Sequence, residues 1–312
     1  MGGVLGRKLR FRNIFCIFIL WLLSGCQNKY LHSQTQVLMG TFVEVVSPDE
    51  RCADIVFSEI KRVEGLLSKY NPESEISMLN RSGNLRVSED TYYILKKARE
   101  FWLLTEGAFD ISVGPLLDLW GFTDKKYRLP TKEEINLTME RVGFDKIILY
   151  DNGNMIQFKV QDMRLDLGAI AKGYAVDCAI KKIKENGIKS CLINAGGDIY
   201  CLGDKFGRPW SVAIKNPRKR GFLKYLRLID KAVATSGDYE QYFFKGGRRY
   251  THIFNPKTGY PEDSGVVSAT VIAQDCLTAD ALATSILVLG KDKGLVLVKK
   301  FPGAQAIIVD SQ

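Results

Sequence analysis

The 312 residues are 46% hydrophobic and 25% charged, a globular balance that excludes a disordered, collagenous or multi-span membrane chain. Only two histidines are present, His32 and His252, so a metal centre built from several imidazoles is excluded and imidazole catalysis falls on one of the two. A formal charge of +9 raises the question of an acidic partner, and seven cysteines raise that of disulfides or thiolate metal sites; location decides both.

Arg7, Lys8, Arg10 and Arg12 form a basic run without an acid, and an apolar stretch follows to Leu23. That stretch is short of the ~20 residues a helix needs to cross a bilayer core, and its order is that of a secretory signal. It ends in Leu23-Ser24-Gly25-Cys26, which resembles a bacterial lipobox. On that reading residues 1–25 are a signal peptide, Cys26 is lipidated, and residues 26–35 are a polar tether carrying His32. The bland alternative is an ordinary signal with a chance cysteine. The lipobox reading predicts a chain exported and lipid-anchored to the bacterial cell membrane, facing the periplasm or the exterior. Removing 25 of the 312 residues, with four basic side chains and no acid, leaves 287 residues at +5. That charge does not argue for nucleic acid, which needs a concentrated basic face. Lys215, Arg218, Lys219 and Arg220 form the densest run, broken by Pro217 and Gly221, and read as a solvated loop.

The folded body is expected over residues 36–312. With Cys16 in the signal and Cys26 lipidated, Cys52, Cys178, Cys191, Cys201 and Cys276 remain. Their number is odd and no CxxC spacing occurs, so at least one is unpaired and zinc is not indicated. Cys191 and Cys201 flank a predicted hairpin and can face one another there, which spacing alone does not decide. Alternating apolar residues predict a strand from Gln36 to Val46, and Ile55, Ile60, Val63, Leu66 and Leu67 share one face of a helix between Pro48 and Lys69. Ser88 caps a predicted helix running to about Thr105, and Thr131 with Glu134 forms a capping box opening another that ends near Gly143. Two strands around Lys146–Tyr150 and Met155–Val160 are joined by a turn, and a helix runs from Ala169 to Asn186. Strands dominate from there to about Ala273, followed by a helix from Leu277 to Leu289 and a final helix and strand. Elements that cluster rather than alternate predict an α+β fold, one unit with two lobes.

Five segments combine Gly, Asp and small residues: Gly107–Asp110, Asp166–Gly173, Asn194–Asp198, Ala234–Asp238 and Thr251–Gly259. Glycine allows close backbone approach to a ligand and free amides at helix starts favour anionic oxygens, so together they point to a phosphate-bearing ligand. Each taken singly is an ordinary turn, and none is a Rossmann or P-loop pattern. Asp280 and Thr284 are i, i+4 on a predicted helix, a hard-oxygen pair suited to Mg²⁺; on spacing alone the acid merely complements the helix dipole. His252 precedes a Pro-containing turn, where it acts either as a proton acceptor or as a structural residue.

The order of these segments resembles the ApbE-type FAD:protein FMN transferases. The resemblance runs from Met39-Gly-Thr41 through Tyr70–Ser77, Thr105–Asp110, Trp120-Gly-Phe122, Asp166–Asp177 and Asn194–Asp198. It continues with Ala234–Asp238, His252-Ile-Phe-Asn-Pro-Lys-Thr-Gly-Tyr-Pro261 and Ala279-Asp-Ala-Leu-Ala-Thr284. It implies a single domain of two lobes with FAD between them, contacted by Met39, Tyr70, Ala108, Phe109, Asp110, Asp166, Lys172 and Phe254. It implies Mg²⁺ held by Asp280, Thr284 and the backbone carbonyl of Ala169, with His252 as the catalytic base. Phe254 and Asn255 stand where Ile and Asp are more usual. The implied reaction is Mg²⁺-dependent transfer of FMN from FAD to a Thr or Ser hydroxyl of an acceptor protein, releasing AMP. Subunits of membrane redox complexes are the implied acceptors. The rivals are an FAD pyrophosphatase giving FMN and AMP in the same pocket, and an FAD-binding lipoprotein without chemistry.

Overall fold

The computed structural model describes Gly2 and residues 30–311; the basic run, the apolar stretch and Cys26 lie outside the described residues. Two strands, β1 (His32–Leu38) and β2 (Thr41–Ser47), open the body as a hairpin. The single strand expected from 36 to 46 is therefore broken. Met39 and Gly40 take φ of 52° and 72° and reverse the chain between Leu38 and Thr41. The sheet also begins earlier than expected: His32, placed in the tether from sequence, pairs with Ser47.

The chain continues through α1 (Cys52–Leu67), α2 (Glu75–Ser82), β3 (Asn84–Arg86), α3 (Glu89–Leu104), α4 (Gly114–Leu119) and α5 (Lys132–Met139). Next come β4 (Ile147–Tyr150), β5 (Met155–Phe158) and α6 (Ala171–Glu185). Both expected caps are present. Ser88 accepts from the Thr91 N–H at the start of α3, and Thr131 and Glu134 form a reciprocal capping box at α5. Such caps satisfy amides that the helix itself cannot, each worth ~1 kcal/mol. The short helices α2 and α4 were not expected; α2 has its own cap, Ser74, and a left-handed Gly83 at its end.

The strands that follow are β6 (Cys191–Ala195), β7 (Asp198–Leu202), β8 (Trp210–Lys215), β9 (Phe222–Leu228), β10 (Lys231–Gly237), β11 (Tyr242–Lys245), β12 (Arg248–Thr251) and β13 (Val266–Ala273). Two helices, α7 (Cys276–Leu289) and α8 (Lys291–Val298), and the last strand β14 (Gln305–Asp310) complete the chain. One seven-stranded sheet has the order β1-β2-β6-β7-β10-β13-β14, and every pairing in it is antiparallel. Small sheets β3-β5-β4, β8-β9 and β11-β12 lie outside it. Antiparallel strands with helices segregated between them are the expected α+β class.

Helices α1, α6 and α7 cover one face of the large sheet through Ile60, Val63, Val176, Ile183, Leu282 and Ile286. The β8–β9 ribbon covers the other through Trp210, Val212, Ile214, Leu226 and Leu228, packed on Cys201, Val233 and Ile272. Strand β13 is consequently buried at all eight positions. The two faces also separate the cysteines that sequence left as possible partners. Cys191 pairs in register with Leu202 and Cys201 with Leu192, so adjacent residues on each strand put the two thiols on opposite faces. A smaller core, formed by Leu116, Trp120, Phe122, Ile135, Phe243 and Phe254, joins α4, α5 and the β11–β12 ribbon into a second lobe.

Candidate active site

The floor of the site is set where α6 meets the start of α7. Gly173 makes this possible: a Cβ there would lie 2.5 Å from the Cys276 carbonyl, so any larger residue would push the helices apart. One turn along α6, Asp177 accepts from the Cys276 and Leu277 N–H groups, each at 2.8 Å, and so caps α7 from a neighbouring helix. Burial pushes the Asp177 carboxyl up to about 7. This docking brings Lys172 on α6 to Asp280 on α7. Asp198 joins them from the sheet, at the start of β7 directly after the Gly196-Gly197 turn.

Lys172 Nζ lies 3.0 Å from Asp198 Oδ2, 3.7 Å from Asp280 Oδ2 and 3.3 Å from the Gly168 carbonyl. Burial opposes its charge, but Asp198 and then Asp280 outweigh it, and its pKa is raised. Both carboxylates are buried, at 2% and 3% exposure. Burial, with Asp280 nearby, pushes the Asp198 carboxyl well up. Two acids thus share one ammonium, and Asp198 Oδ2 has no hydrogen-bond partner despite its ion pair. Thr284, one turn beyond Asp280, places its hydroxyl 3.1 Å from that of Ser236 on β10.

The rim is built around His252, immediately after β12. Its Nδ1 lies 3.1 Å from the Gln241 carbonyl, which also accepts the His252 backbone N–H. A carbonyl can only accept, so Nδ1 carries the proton and Nε2 presents a free lone pair. Burial lowers the imidazole pKa, and Asp166, Lys172 and Lys69 all lie close enough to act on its charge. His252 is enclosed by protein yet still reached by solvent, as expected of a group lining a concavity. After it, Asn255 Oδ1 accepts from the Lys257 N–H, a turn bond that aspartate at this position also makes. Trp120 Nε1 donates to the Gly259 carbonyl at 3.2 Å and ties this turn to the aromatic core.

The remaining residues expected from sequence divide into two groups. Asp166 is half-buried: it pairs with Lys69 at 2.6 Å and accepts from the Gly168 N–H, which shapes the loop entering α6. Tyr70 is 69% exposed with Lys69 over its ring, and Met39 holds its left-handed turn by donating its N–H to Glu64. The others are turned inward. Phe109 packs on Phe101, Ala108 is buried, and the Phe254 ring lies between Trp120 and Phe122. Asp110 has its two oxygens taken by Ser112 and the Phe144 N–H, and burial raises its pKa. These four side chains knit the walls.

The family model described as the ApbE family matches residues 39–308. The chain belongs to the ApbE family. A relative from Vibrio cholerae named FAD:protein FMN transferase is 34% identical, over 90% of this chain and 88% of its own. One of the same name from Haemophilus influenzae is 33% identical, over 94% and 91%. Among solved structures, the ApbE protein of Thermotoga maritima matches with a TM-score of 0.83 at 37% identity, covering 90% of this chain and 94% of that one. The flavin transferase ApbE of Vibrio cholerae gives 0.82 at 31% identity, covering 91% and 94%.

In this ApbE-family chain the geometry adds residues that sequence reading did not single out as site residues. Asp198, Asp177 and Lys69 stood within or beside quoted segments, yet their partners are brought to them only by the fold. Glu240, just after β10, acts on Lys172 and Asp280, and burial raises its pKa. Among the described residues no three His, Cys, Asp or Glu side chains converge as a metal site. The donor chemistry nevertheless fits a hard divalent cation: an orphaned carboxylate oxygen on Asp198, a second buried carboxylate on Asp280 and the Thr284 hydroxyl.

Proposed function

We propose that this chain transfers FMN from FAD to a threonine or serine hydroxyl of an acceptor protein and releases AMP. The observation that carries the reading is His252: an imidazole held in the tautomer with Nε2 free, its pKa lowered, beside the Lys172, Asp166 and Lys69 charges. Nε2 takes the proton of the acceptor hydroxyl, whose oxygen forms a bond to the FMN phosphorus as the bond to the AMP phosphate breaks. Lys172 draws the pyrophosphate oxygens into the site. Asp280, Thr284 and the Ala169 carbonyl would hold Mg²⁺, which when bound would supply further neutralisation of that charge. FAD lies between the two lobes, along Met39, Tyr70 and Asp166. The ApbE-family relatives' shared name supports flavin transfer.

The chain acts outside the cytoplasm, held to a membrane by lipid on Cys26, and its acceptor is a subunit of a membrane redox complex. Incubation with FAD, Mg²⁺ and a candidate acceptor should give flavin fluorescence on the acceptor band and one AMP per flavin attached. His252→Ala should lower both by about 10²–10⁴-fold while retaining FAD binding; equal loss of binding would make His252 structural. Rapid AMP release without acceptor would indicate hydrolysis, and unchanged FAD a carrier. Cys26→Ala should move the chain from the membrane to the soluble fraction.

A further inference from the structure

Cys52 and Cys191 are 139 residues apart in the chain, yet their sulfurs lie 3.2 Å apart and both side chains are fully buried. Three elements bring them together. Strands β2 and β6 are hydrogen-bonded neighbours, with Val46 opposite Leu192. The Ser47 hydroxyl donates to the Ser190 carbonyl at 2.8 Å, which closes the ends of the two strands. It also accepts from the Asp49 N–H, and the Cys52 N–H then donates to the Asp49 carbonyl, so the chain turns back and α1 starts over Cys191. The other body cysteines are placed elsewhere. Cys201 faces the β8–β9 ribbon, the Cys276 thiol points at the Ile199 carbonyl, and Cys178 lies beside Tyr174.

We propose that Cys52 and Cys191 form a structural disulfide that staples α1 to the middle of the large sheet. The oxidant is a disulfide, either of a protein or of a small thiol. The Cys52 thiolate attacks one of its sulfurs and expels a thiolate; Cys191, as thiolate, then attacks the Cys52 sulfur and expels the second. The pair loses two protons and two electrons, one S–S bond forms, and the oxidant's disulfide becomes two thiols. The order is symmetric, since either thiolate can attack first and the other then closes the bond. Because both sulfurs are sealed in the folded body, exchange takes place during folding, before α1 docks. The finished bond then resists external reductant until the core opens. The staple matters to the site because α1 carries Glu64, which holds Met39, and ends two residues before Lys69.

The test uses the full chain, unfolded with reductant and refolded with a mixture of reduced and oxidised glutathione. Free thiols are blocked with a maleimide in denaturant, the sample is reduced, and newly freed thiols take a heavier maleimide. Peptide mapping should place the heavier label on Cys52 and Cys191 alone and recover a peptide linking them before reduction. The oxidised chain should melt roughly 5–10 °C above the reduced one, and Cys201→Ser should keep both results. The light label on all cysteines, or a link joining any other pair, overturns the proposal. Both readings come from the unsubstituted chain and do not depend on a variant folding.

Discussion

Lys172, Asp198, Asp280 and Thr284 project from α6, β7 and α7, elements whose positions are fixed by backbone hydrogen bonds and by packing on the seven-stranded sheet. His252 stands at the end of a two-stranded ribbon outside that sheet, placed by one carbonyl and by an aromatic cluster of Trp120, Phe122, Phe243 and Tyr250. The floor therefore concentrates charge on a rigid frame, whereas the rim holds His252 through side-chain packing. Damage to the floor should cost stability together with activity. Damage to the rim should separate them, because the sheet does not depend on the ribbon.

The largest expected effect is at the rim. His252→Ala should lower transfer by about 10²–10⁴-fold, the usual share of a general base, with the melting temperature little changed. The wild-type profile of kcat/KM against pH carries the same information. The base must be neutral, and burial lowers its pKa from the ordinary 6.5. Activity should accordingly persist below that pH and fall only as the lowered value is passed. A limb centred above pH 6.5 would contradict the burial of this imidazole.

Next in size is removal of the packing that holds the rim. Trp120→Ala deletes a ring that is 1% exposed along with its bond to Gly259, a loss of about 3–5 kcal/mol. Proteolytic cleavage within the second lobe should set in at a lower temperature while the circular dichroism of the large sheet persists; a single concerted transition would remove the distinction. At the floor, Lys172→Met leaves two buried carboxylates without their ammonium. It should cost about 3 kcal/mol of global stability as well as activity. Added Mg²⁺ should restore part of that stability by mass action.

A smaller effect is linked to pH. Asp177 is raised from 3.8 to about 7, so the native state holds its proton more tightly than the unfolded chain does. The stability it contributes is complete below pH 3.8 and is lost as pH rises through about 7. Asp177→Asn should flatten denaturant midpoints measured across that window. The smallest is Tyr70→Ala. At 69% exposure it should shift stability by less than about 0.5 kcal/mol while raising KM for FAD.

The capped helices α3 and α5 were legible because capping chemistry is local: Ser88 and Thr131 meet their amides within three residues. The family was legible because its glycine, acid and histidine segments keep their order along the chain. The reversal at Met39-Gly40 was not, since Met rarely adopts positive φ and gives no turn signal. Asp198 was quoted as part of a turn, but its importance comes from Lys172 on another element. The cysteines show the same limit. Their spacing drew attention to Cys191 and Cys201; strand register puts those two on opposite faces, and the docking of α1 brings Cys52 to Cys191 instead. Phe109 and Phe254 were singled out by resemblance, and their packing against Phe101, Trp120 and Phe122 is a tertiary fact that order along the chain does not show.

The pairing of β2 with β6 joins Val43 to Ala195, across more than a hundred intervening residues. Such long-range contacts place a fold among those that assemble over milliseconds to seconds, since loop closure precedes its reward. A chain appearing N-terminus first completes the β1–β2 hairpin long before its neighbour arrives. The outer strand guards one side with Ser33, Gln34, Thr35 and Gln36, while β2 keeps an open apolar edge. Aggregation during biosynthesis should therefore begin at residues 41–47, and substitutions there should change the yield of folded protein more than its final melting temperature.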